Sequence, residues 1–187
     1  MELITWIRQE HDGLQARLHD WFIVDVPLDR WVERPGGEGA SMAWLVLHAS
    51  VHQDIAVNVA ARGVAPVAAS HWNGLGLVGL AVTAGLDEHD LLERHPDVDV
   101  PAIIAYADAV NEATAAWLAT IDPVALDAVP PASQRLTDAG FTDTSVAWVH
   151  ARWSGQPVSW FVQWEAIGHG LLHHGEMAAL RARLGVR

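Results

Sequence analysis

The sequence predicts an all-α protein, a bundle of four long helices. Two observations carry this. Apolar residues recur at three- and four-residue spacing in four separate stretches, and no stretch shows the alternating pattern of a half-buried strand. A chain of 187 residues with 51% hydrophobic side chains is long enough for one well-packed core, so a single domain over residues 1–187 is expected.

In the first helix Ile4, Ile7, His11, Leu14, Leu18 and Trp21 form one stripe, and Pro27 ends it. The Pro35-Gly36-Gly37 loop and Gly39 follow, and Ser41 is placed to cap the second helix. That helix carries Leu45, His48, His52, Ile55 and Val59 before Gly63 and Pro66 stop it. From Val64 to Asp99 the periodicity dissolves into an irregular insert between helices two and three, rich in Gly and Ala. Asp99-Val100-Pro101 is a start signal for the third helix, with Ile103, Tyr106, Val110, Ala113 and Trp117 as its stripe. Residues 122–156 read mostly as connection, with a short helix at Ser145 to Arg152. Pro157 opens the last helix, whose inward face is Val162, Ala166, His169, His173, Met177, Leu180 and Leu184, and Gly185 closes it.

Composition excludes several functions. The formal charge is -12, the eleven basic residues are all arginine, and such a deficit of cations argues against nucleic-acid binding. Without cysteine there is no disulfide framework, thiolate zinc site, iron-sulfur cluster or cysteine nucleophile. The opening residues lack the pattern of a secretory signal, and no apolar run is long enough to span a bilayer, so a cytoplasmic protein without membrane contact is expected.

Eleven histidines stand out. A helical His-x-x-x-His sets two imidazoles one turn apart on one face, where both can reach one metal ion. His48 and His52 have this spacing, and so do His169 and His173, all four within apolar stripes. A lone inward histidine is more often a hydrogen-bonded core residue, but two such pairs on different helices favour a metal. No zincin motif and no inward Glu-x-x-His pair is present, which disfavours a metalloprotease or a ferritin-type di-iron site. His11 reads as a satisfied core histidine. His52 can be read as a further ligand, a general base or a neutral ring bonded to a backbone group, and a pocket-lining role is favoured. Glu165, one turn before His169, is placed either to accept an imidazole N–H or to serve as an exposed capping or salt-bridge residue. Trp44, Trp72 and Trp164 are candidates for pocket walls, against the plainer reading as core.

The run from Arg34 to His48, with its Pro-Gly loop, Ser41, Trp44-Leu45 and His48, resembles the loop and second helix of the DinB-like four-helix proteins, the YfiT group included. The run His169-Gly170-Leu171-Leu172-His173-His174-Gly175-Glu176-Met177, with Leu180, Arg181 and Gly185, resembles that family's last helix. Tyr106 to Leu126 resembles its third helix and exit. His174 stands where the family usually has Arg, and Glu176 where Gln is common.

The resemblance implies His48, His169 and His173 as ligands of a divalent transition metal, zinc first, with nickel or iron as alternatives. It also implies a thiol S-transferase or isomerase that uses a low-molecular-weight thiol such as mycothiol or bacillithiol, and often a homodimer. The protein has no thiol of its own, so the thiol arrives as a cosubstrate beside a small electrophile. A metal-activated-water hydrolase and a non-catalytic metal-binding bundle are the alternatives.

Overall fold

The computed structural model describes residues 2–95 and 97–186, and these form helices, turns and loops with no strand among them. Helix α1 runs Leu3–Leu18 and buries Ile4, Ile7, His11, Leu14 and Leu18, as the stripe requires. It then widens into a π-helix, His19–Ile23. The i→i+5 bonding of that segment changes the register. Phe22 therefore turns inward, while Trp21, expected in the stripe, is 51% exposed.

Helix α2 runs Met42–Gln53 and continues as a π-helix over Asp54–Arg62. Ser41 caps it by accepting the Trp44 N–H. Gly63 ends it in the left-handed region at φ 70°, where a Cβ would also meet Arg135 Nε at 2.9 Å. Arg135 donates to the carbonyls of Ala60 and Ala61, neutralising the negative end of the helix. Between Met42 and Ala61 every residue except Ala49 is buried, so α2 is the central helix and not an amphipathic one.

The insert covers the outer face of α2. It contains a helical turn at Ala68–His71 and single 3₁₀ turns at Trp72–Gly74, Val82–Leu86 and Leu92–Arg94. Its ends are tied down. Asp54 accepts the backbone N–H of Val67 and of Ala68, and Asp99 N–H donates to Leu75 O. Asp90 accepts the Ser41 N–H at 2.7 Å and pairs with Arg34 at 3.2 Å. Gly85 approaches α2 so closely that a Cβ there would stand 2.6 Å from Val51 Cγ2.

Helix α3, Val100–Thr120, is capped by Asp99 and buries Val100, Ile103, Tyr106, Ala107, Val110, Thr114 and Leu118. Its second half steps by four, so Ala113 and Trp117 are only partly buried and Thr114 and Leu118 take the inward places. The 122–156 stretch holds more helix than its Pro and Gly content suggests: α4 over Ala132–Asp138 and α5 over Ala147–Trp153. Helix α6 begins at Val158–Trp160, passes through a π-helix over Phe161–Gly168 and ends as α-helix His169–Arg183. Its expected inward face, Val162 through Leu184, is buried throughout.

Helix α2 packs on α3 and α6, and α1 packs on α3 and on the π stretch of α6. No helix among the described residues is long and apolar enough to cross a membrane.

Candidate metal centre

Four imidazoles meet where α2 faces α6. Ring centroids are 4.6 Å apart for His48 and His52, 5.0 Å for His48 and His169, and 4.9 Å for His48 and His173. His169 lies 4.3 Å from His52 and 4.4 Å from His173. All four are at most 5% exposed. The π stretches over Asp54–Arg62 and Phe161–Gly168 follow His52 and precede His169, so both helices depart from regular bonding at the site's edge.

Hydrogen bonding fixes the orientation of three rings. His48 Nδ1 lies 2.9 Å from Gly85 O, and a carbonyl only accepts, so Nδ1 carries the proton and Nε2 a free lone pair. The same reasoning holds for His52, whose Nδ1–H donates to Glu165 Oε2 at 3.0 Å, and for His173, whose Nδ1–H donates to Glu176 Oε2 at 3.0 Å. The Nε2 atoms of His48 and His52 are buried without a partner. Nε2 of His173 faces Nε2 of His169 at 2.9 Å. Unless His169 holds its proton there, two lone pairs confront each other and only a cation relieves them.

The site keeps His48 and His169 neutral. Burial first, then the neighbouring His52 and His173, pushes His48 down to about 3. Burial and the same neighbours push His169 down to about 2. Neutral rings are the form that binds metal. Ligand atoms of His48, His52, Glu88 and His169 all lie within 4.8 Å of one another. Two nitrogens on one ion at about 2.1 Å stand at most about 4.2 Å apart, so small movements close this set on a single ion. The donors, imidazole with one carboxylate, suit a first-row transition metal.

Of the residues read from sequence, His48 and His169 lie in this set and His52 joins them. His173 falls outside it, yet touches His169 nitrogen to nitrogen. Glu165 does accept an imidazole N–H, from His52 instead of His169, and its other oxygen accepts the Trp153 indole N–H at 2.9 Å. His11 is buried, accepts from Gln53 Nε2 at 3.3 Å, and leaves Nδ1 unpaired. Trp44 stacks on His48 at 6.1 Å and Trp164 is 6.5 Å from His169, whereas Trp72 is buried with its N–H on Leu80 O.

Glu88 and Gly85 had no signal in the sequence. Glu88 Oε2 stands 3.8 Å from His48 Nε2 on a side chain 70% exposed. It lines two clefts that flank the cluster. One of about 370 Å³ reaches Trp44, His48, His173 and Glu176, and the other, of about 470 Å³, runs past Leu86, Ser145 and Trp148. Trp148 also lies 5.9 Å from His52.

No family model, curated protein or solved structure matches the chain.

Proposed function

We propose that the chain is a DinB-like four-helix metalloenzyme that transfers a low-molecular-weight thiol of the mycothiol type to a small electrophile. His48, His169 and His173 are the donors that the family resemblance assigns. The observation that carries the reading is the set of buried, unpartnered imidazole nitrogens facing one another beside two open clefts. A divalent ion held there would lower the pKa of a thiol and so supply a thiolate near neutral pH.

The chain's own residues supply the rest. With no cysteine, the nucleophile has to enter from solution, and the clefts are of the size that small molecules occupy. Glu88, exposed and facing both, takes the thiol proton on Oε2. Sulfur then forms the bond to the electrophilic carbon, and in a substitution the leaving group departs with its electron pair. Trp44 and Trp148 give the two clefts apolar walls that exclude water from the electrophile.

The same Glu88 carboxylate beside His48 also favours a second reading, activation of water by a hydrolase. Metal-reconstituted protein given an electrophilic aryl or ester probe, with and without mycothiol or bacillithiol, separates the two. Turnover that requires the thiol is expected. Equal turnover without it supports the hydrolase, and bound metal with no turnover of any probe leaves a non-catalytic metal-binding protein.

A further inference from the structure

His52 departs furthest from a three-histidine site. Its Nδ1–H is held by Glu165 Oε2, while Glu165 Oε1 accepts the indole N–H of Trp153. Glu165 is 2% exposed and Trp153 is wholly buried. A carboxylate tethered at both oxygens cannot swing, so neither can the ring it holds. The remaining nitrogen, Nε2, is buried without a partner and faces the ligand atoms of His48, Glu88 and His169 within 4.8 Å. A carboxylate behind an imidazole is the arrangement that fixes tautomer and ring orientation in metal sites and strengthens the donor. Here it serves the one histidine of the four for which the family resemblance offers no ligand role.

We propose that His52 is a fourth imidazole donor, with Glu165 and Trp153 as its positioning residues, and that the site consequently takes an ion accepting five or six ligands, such as Ni(II), Co(II) or Fe(II). This rests on the metal site proposed above. Reactive zinc sites hold three protein donors and keep the fourth position open. Four imidazoles fill a tetrahedral zinc ion and leave no place for a thiol. Imidazole serves nickel, cobalt and iron equally well, and those ions retain open positions beside four nitrogens. Glu165 places a negative charge behind the donor set, partly offsetting the charge of the ion.

X-ray absorption on the whole protein loaded in turn with Zn(II) and Ni(II) tests this, together with metal affinity from chelator competition and azide binding followed by spectroscopy on Co(II) protein. Four imidazoles per ion are expected in the wild type and three in His52→Ala. Glu165→Gln, which preserves shape, is expected to keep the ion but to lose roughly ten- to a hundredfold in affinity. The Co(II) protein is expected to bind azide, and in the zinc protein azide leaves the absorption edge unchanged.

Three imidazoles in the wild type, unchanged in His52→Ala, overturn the proposal and leave the three-histidine centre standing. Zinc protein that binds azide overturns the choice of ion. Wild type that binds no ion at all overturns both readings. Should His52→Ala not fold by circular dichroism, Glu165→Gln decides, and unchanged affinity in that folded variant overturns the role of His52.

Discussion

His52 and Asp54 are two residues apart on α2 and both are buried, yet their surroundings treat them oppositely. Asp54 is fully satisfied: Oδ1 accepts from Asn58 Nδ2 at 2.7 Å and Val67 N at 2.9 Å, and Oδ2 from Ala68 N and the Tyr106 hydroxyl, both at 2.9 Å. Three of these four bonds join α2 to the insert or to α3, so the cluster is a structural rivet. The histidine cluster begins six residues earlier, at His48, and leaves Nε2 of His48 and His52 and Nδ1 of His169 buried and unpaired. Buried polar atoms are paired almost without exception, and an unpaired one costs about 1–3 kcal/mol. One cluster is complete within the protein; the other needs something from outside.

The largest expected effect sharpens this contrast. Asp54→Ala strips the acceptor from four donors and should cost more than about 3 kcal/mol in a urea unfolding curve, with metal stoichiometry unchanged in the protein that remains folded. His48→Ala should do the reverse. It removes a ring with one free nitrogen, costs the metal-free protein less than Asp54→Ala, and abolishes the gain of about 2.7 kcal/mol that a hundredfold excess of metal over Kd gives the wild type. If His48→Ala destabilised the metal-free protein as much as Asp54→Ala does, the two clusters would be alike.

A smaller effect follows pH. In the unfolded chain an imidazole titrates near 6.5, whereas folded His48 stays neutral to about 3 and folded His169 to about 2. His174, partly buried near Arg17 and edge-on to Phe22, is pushed down to about 4, desolvation first and then the Arg17 charge. Below pH 6.5 the unfolded chain therefore binds more protons than the folded one. The metal-free protein is most stable above about pH 7 and loses up to about 1.4 kcal/mol per pH unit for each such ring as the pH falls toward those values. Unfolding midpoints between about pH 8 and pH 5 check this, and a flat profile breaks it. The smallest effect belongs to Glu176→Gln. Its side chain is 52% exposed, and water can replace its bond to His173, so metal affinity should fall less than about tenfold in a chelator competition.

The sequence made the four long helices and the two histidine pairs legible because spacing alone places residues on a helix face. His48, His52, His169 and His173 fall within apolar stripes, and all four prove buried in one cluster. Three features escaped because they depend on long-range contacts. The π segments shift the register at Trp21 and let Phe22 turn inward, a change with no signature in the spacing of apolar residues. The insert has no periodicity, so nothing marked Gly85 as the group that orients His48 or Glu88 as the carboxylate beside it. Glu165 sits one turn before His169, which suggested that it serves His169, but tertiary packing turns it toward His52 and Trp153.

The most direct measurement is metal content by elemental analysis of the purified protein, before and after reconstitution, for the wild type and for the alanine variants of His48 and His169. About one equivalent of a transition metal per chain in the wild type, lost in both variants while circular dichroism is unchanged, is the predicted result. A wild type that takes up no metal under any reconstitution would contradict it, and the unpaired nitrogens would then be a cost the fold bears without a ligand.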